Sequence, residues 1–164
     1  MKKNILIGCG AMLLIALIGI IAIGVWLFSG PESGVKMGNE MDPYALEYIA
    51  NNGILNPDEE LVAYYDATMD MDGTEAAVLT TKRVIYHKGG GNYEIGISDI
   101  ADIRHRKETL IGDVIEIQST SGKSMKIEIA PLNGGESFLS SLMGAWDKAK
   151  AGAELPADDE TPPE

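Results

Sequence analysis

A chain of 164 residues has room for one domain and short additions. Its 13 Lys and Arg stand against 25 Asp and Glu, a formal charge of −12. That balance excludes nonspecific nucleic-acid binding, which needs a dense basic surface, and it argues against adhesion of the whole domain to anionic lipid. The lone cysteine, Cys9, has no partner for an internal disulfide, so the chain carries no mark of its redox compartment.

Lys2 and Lys3 precede an uncharged apolar run, Ile5–Phe28. As a helix it would extend about 36 Å, enough for a hydrocarbon core of about 30 Å. A domain this small has no core that could enclose such a helix on every face. A cleavable signal peptide has an apolar region of only about 7–15 residues. Here Ser29-Gly30-Pro31 also puts proline where a mature chain would start. The run reads as one uncleaved transmembrane helix within an anchor over residues 1–28. Leu6-Ile7-Gly8-Cys9 is similar to a lipidation motif, but too few apolar residues precede Cys9 and too many follow it. Lys2, Lys3 and the terminal amine outweigh the cations just after the run, which predicts a cytoplasmic N-terminus and an extracytoplasmic domain in the cell membrane.

Residues 29–53 read as a linker and a short helix. Ser29–Met41 is rich in Gly and Ser. Asp42-Pro43 is a cap followed by proline at the first helical position, and Gly53 is the stop. Between them Leu46, Ile49 and Ala50 are expected to share the buried face.

Residues 54–150 read as a β-rich domain. Asn56-Pro57-Asp58-Glu59-Glu60 is a turn before a first strand, Leu61–Tyr65. The loop Asp66–Glu75 is acidic and contains Asp70-Met71-Asp72-Gly73. Set in a calcium-loop register, this motif puts Thr68 at position 1 and Leu79 at position 12, so two required carboxylates are missing and a solvated hairpin loop is expected. Ala77–Thr80 and Arg83–His87 follow as strands, then a turn at Gly89-Gly90-Gly91-Asn92. Tyr93–Ile97 and Ile100–Arg106 alternate. Thr109–Gly112 makes a turn with an exposed apolar tip. Asp113–Thr120 and Ser124–Ala130 alternate around the turn Ser121-Gly122-Lys123. Ile115, Ile117, Met125, Ile127 and Ile129 are expected inside, with Lys126 and Glu128 outside. After Pro131–Gly135, Glu136–Lys150 reads as a helix with Phe138, Leu139, Leu142 and Trp146 on one face. Residues 151–164, acidic and with Pro156, Pro162 and Pro163, read as a disordered tail.

Thr81-Lys82-Arg83-Val84-Ile85-Tyr86, a glycine turn, a strand and then Ser98-Asp99-Ile100-Ala101-Asp102-Ile103 follow in an order that resembles the bacterial pleckstrin-homology-like (PH-like) domains. The resemblance covers Ile54–Ala149. It implies a mainly β fold: a strongly bent seven-stranded antiparallel sheet or barrel capped by the C-terminal helix. It also implies a noncatalytic binding or assembly module for a protein partner or a second copy. Such domains often face the cytoplasm, which keeps the opposite topology open.

No set of residues points to catalysis, a cofactor or a metal. His87 and His105 lack a patterned partner, and Gly89-Gly90-Gly91 is followed by neither a helix nor a Lys-Ser/Thr pair. The basic residues are the functional hint. Arg104, Arg106 and Lys107 form the densest basic run, on a strand that in PH-like folds borders a peptide groove with the C-terminal helix. The expected guest is an acidic segment, with the chain's own Asp158-Asp159-Glu160 one candidate. A lipid-headgroup reader is the alternative, although Asp70, Asp72 and Glu75 stand where phosphoinositide-binding PH domains place cations. A small enzyme with an unrecognised site is the second alternative.

Overall fold

A computed structural model describes residues 34–154. The anchor predicted over 1–28, Cys9 and residues 155–164 of the predicted tail lie outside the described residues. Within them, no helix is long and apolar enough to cross a membrane.

Among the described residues eight strands and two α-helices follow one another: β1 (Lys36–Met37), α1 (Pro43–Asn51), β2 (Leu61–Asp66), β3 (Glu75–Thr80), β4 (Arg83–Lys88), β5 (Gly91–Gly96), β6 (Ile100–Glu108), β7 (Gly112–Ser119), β8 (Ser124–Ile129) and α2 (Gly135–Glu154). All strand pairs are antiparallel. The seven strands expected of the domain are present as β2–β8, but they do not form one sheet. They divide into β1-β2-β3-β4-β5 and β6-β7-β8, with no closed barrel among the described residues. The break has a local cause. After β5 the chain enters a 3-10 turn, Ile97–Asp99, and does not reverse into a hairpin. Gly96 itself is extended, with φ −61° and ψ 140°, and the Asp99 carboxylate lies over it.

One core lies between the two sheets and α2. Ala63, Leu79, Val84 and Ile95 of the first sheet meet Ile115, Ile117, Met125, Ile127 and Ile129 of the second, and Phe138 and Leu142 of α2 join them. The period-two pattern of β8 holds at every position, with Met125, Ile127 and Ile129 buried and Lys126 and Glu128 exposed. Trp146 is only partly buried. Its Nε1 donates to the Ile100 carbonyl at 3.0 Å, and the Lys150 ammonium sits 3.7 Å over its ring.

The other face of the first sheet is also covered. Ala45 and Ile49 of α1, with Ile54, pack on Tyr64, Ala76, Val78 and Ile85. Burial on both faces explains why β3 reads Ala-Ala-Val-Leu-Thr without alternation. It also corrects the predicted helix face: Ala45 and Ile49, one turn apart, point inward, whereas Leu46 is 48% exposed. Two further boundaries differ from the sequence reading. Lys36 and Met37, expected in a linker, pair with Tyr64 and Ala63 as β1. The helix α2 continues through Glu154, so its last turn takes in the first residues of the predicted tail.

Candidate functional site

Strand β6 carries Arg104, Arg106 and Lys107. Among the described residues it pairs with one strand only, β7, and its other edge has no strand partner. Arg104 stands opposite Glu116 and Arg106 opposite Val114, two positions apart on one face. Lys107 stands opposite Asp113 and reaches Glu136 Oε1 in the first turn of α2 at 2.5 Å. The expected basic run is therefore split. Two arginines share one face of the strand, and the lysine turns toward the helix.

Every member is already paired. Arg104 Nε donates to Asp102 Oδ2 at 2.8 Å. Arg106 donates to Glu108 Oε1 at 2.7 Å and to Glu116. The hydrogen bonds it donates to Glu116 and Glu108 hold the Arg106 guanidinium above its ordinary value, and Arg106 in turn lowers the Glu116 carboxyl. Glu136 raises Lys107 in the same way. An acidic guest would exchange these surface pairs for its own, and such exposed pairs contribute little individually.

Where the end of β6 meets the start of α2 there is an open pocket of about 470 Å³, lined by Lys107, Glu108, Thr109, Asp113, Pro131 and Glu136 among others. Asp113 is buried, and His105 Nε2 donates to its Oδ1 at 2.7 Å. A Cβ on Gly135 would lie 2.4 Å from the Asp113 side chain, so glycine there admits this carboxylate to the positive end of α2. His105 read as isolated in the sequence. The hairpin register around the turn at Thr109–Ile111 brings it to Asp113.

The acidic loop and the second histidine are structural. Asp66 is buried at the end of β2 and accepts from Thr68 N at 2.8 Å, Thr68 Oγ1 at 2.5 Å, Gly73 N at 2.8 Å and Tyr44 OH at 3.2 Å. It pins the loop, which corrects the expectation of a merely solvated turn. Burial, and next the Asp66 charge, push the Tyr44 and Tyr64 hydroxyls well above the ordinary phenol value. Gly73 has φ +78°, and a Cβ there would lie 2.8 Å from the Tyr48 ring, so the glycine of the Asp-x-Asp-Gly motif serves packing. His87 is buried, with Nδ1 2.7 Å from Asn92 Oδ1 and Nε2 3.1 Å from Tyr48 OH. Among the described residues no group of three His, Cys, Asp or Glu side chains is placed to hold a metal.

Arg83, in the motif that carried the family resemblance, is a clamp. Its Nε and Nη2 donate to the two Glu59 oxygens at 2.8 and 3.0 Å, Nη2 also donates to the Ile54 carbonyl at 3.1 Å, and Nη1 reaches Glu94. This fork ties the segment before β2 to β4 and β5.

No family model matches the chain, and no curated protein matches it. A solved structure does: a DUF1696 family protein with a pleckstrin-homology domain from Shewanella loihica PV-4, with a TM-score of 0.50 and 12% identity, covering 70% of this chain and 99% of the other.

The fold is PH-like.

At that identity the likeness concerns the fold alone. In this PH-like domain the β2–β3 loop is acidic and ordered around Asp66. The Asp72 carboxyl is held below its ordinary value, first by the Thr74 backbone N–H. The cations on β4 and β6 are each answered by a carboxylate: Arg83 by Glu59, Lys88 by Glu75, Arg104 by Asp102, Arg106 by Glu108 and Lys107 by Glu136.

Proposed function

We propose that this protein is a membrane-anchored, noncatalytic PH-like module that engages a protein segment, or a second copy of itself, along the free edge of β6. The observation that carries the reading is a nine-residue strand paired on one side only, with two arginines on one face and a 470 Å³ pocket at its end. An extended guest would gain backbone hydrogen bonds from the edge and charge pairing from Arg104 and Arg106. The acidic tail segment Asp158-Asp159-Glu160 has the chemistry of such a guest, in cis or between copies. Anchoring rests on the uncharged run Ile5–Phe28, and the cationic N-terminal flank favours an extracytoplasmic domain.

Charge reversal tests the edge. Arg104→Glu with Arg106→Glu is expected to weaken partner capture from detergent extract, or to lower the oligomer mass on native mass spectrometry. Added salt should mimic the double variant, because exposed charges are screened within about 10 Å at 0.1 M. Unchanged capture and unchanged mass remove this edge from consideration.

A further inference from the structure

Large apolar side chains standing singly in water need no explanation, but several gathered at one place do. Leu110 and Ile111 in the β6–β7 turn are 92% and 39% exposed, and Leu132 in the β8–α2 turn is fully exposed. The two turns touch. A Cβ on Gly112 would lie 2.1 Å from the Ile129 carbonyl oxygen and 2.7 Å from Pro131 N, and Thr109 and Leu132 line the same pocket. Leu132 also holds φ +68°, a left-handed conformation costly for any residue but glycine. Neither packing nor backbone preference accounts for a leucine there.

The described chain begins at this same end. Val35 N donates to the Asn133 carbonyl at 2.8 Å, one residue from Leu132. In the sequence only residues 29–33 separate Gly34 from the apolar run that ends at Phe28. The six Cα–Cα steps from Phe28 to Gly34 reach at most about 22 Å. If that run spans a bilayer, as the proposed function holds, the covalent tether keeps Gly34, which lies against Asn133 next to Leu132, within that distance of the point where the chain leaves the hydrocarbon. The polar layer of a bilayer is itself about 5–8 Å deep on each side.

We propose that Leu110, Ile111 and Leu132 form an apolar tip that inserts into the interfacial layer of the bilayer. The tip rests on the anchor reading and commits to lipid as its occupant. It differs from a headgroup reader because the cations beside it are spent on carboxylates: Lys107 on Glu136, and Arg106 on Glu108 and Glu116. Insertion is therefore apolar, indifferent to lipid charge and to salt.

The test uses the full chain in phosphatidylcholine vesicles. Cys9→Ala clears the native thiol, and an environment-sensitive fluorophore is placed at Leu110→Cys, Leu132→Cys or Lys123→Cys. Lys123 lies in the β7–β8 turn, at the opposite end of the second sheet from the Asp113–Ile129 pair, about 17–20 Å away along the strand. The fluorophores at 110 and 132 are expected to shift to the blue, and lipid-borne nitroxide should quench them at least about threefold more than the one at 123, at low and high salt alike. Equal quenching at all three sites, in vesicles that retain the chain after carbonate washing, overturns the tip and leaves the anchor standing. A blue shift at 110 and 132 without lipid quenching assigns the tip to a protein contact and overturns the proposal. Loss of the chain to carbonate overturns the anchor reading and the tip with it.

Discussion

Glu59 and Arg83 show how much a single pair can hold. Their side chains are 3% and 15% exposed, and the contact is bidentate. Arg83→Met would leave the carboxylate in place without its fork, and an uncompensated buried charge typically costs about 3–5 kcal/mol. Lys82→Ala, which removes an exposed pair with Asp58, should cost under about 0.5 kcal/mol. Denaturant melts of the two variants check the contrast. The pair also sets an acid limit. Burial raises the Glu59 carboxyl, but the hydrogen bonds from Arg83 and Asn56 outweigh it, so its pKa lies below the ordinary 4.5. A depressed folded-state value means stability that is present above the unfolded value and lost as pH falls through the folded one. Glu59→Gln should flatten that acid-side loss while lowering stability at neutral pH, and urea melts taken from about pH 7 down to about pH 3 would show it. The motif residue Arg83 was visible in the sequence. Its partner was not, because nothing in Asn-Pro-Asp-Glu-Glu marks which acid turns inward.

At the scale of elements, the strands of the second sheet follow their sequence closely. Ile115 and Ile117 face Ile127 and Met125 across the β7–β8 ladder, and all are buried. Ile117→Ala or Phe138→Ala should cost about 2–5 kcal/mol, against under about 0.5 kcal/mol for Lys126→Ala on the outer face. Equal, small losses in denaturant melts at all three positions would contradict this packing. The first sheet was harder to read. With α1 on one side and the main core on the other, β3 lost the alternation that marks a half-buried strand. The same covering decided that Ala45, and not Leu46, would face inward. The candidate site was legible in part: Arg104 and Arg106 share a face by strand period, but the turn of Lys107 toward Glu136 depends on where α2 begins.

For the whole molecule, the orientation in the membrane is the expectation most open to direct test. Protease added to intact cells should remove the domain, whereas protection until lysis would place it in the cytoplasm. Composition, the apolar run, strand alternation and the amphipathic C-terminal helix were determined by the sequence alone, because each is a local property of neighbouring side chains. Three features needed tertiary structure. The division into two sheets depends on the 3-10 turn Ile97–Asp99 that follows β5. The pairing of His105 with Asp113 and of His87 with Asn92 and Tyr48 depends on register and on a helix laid over the sheet. The gathering of Leu110, Ile111 and Leu132 beside Val35 brings together three parts of the chain that no sequence window contains. Such contacts join residues far apart in the chain, and only folding sets which of them meet.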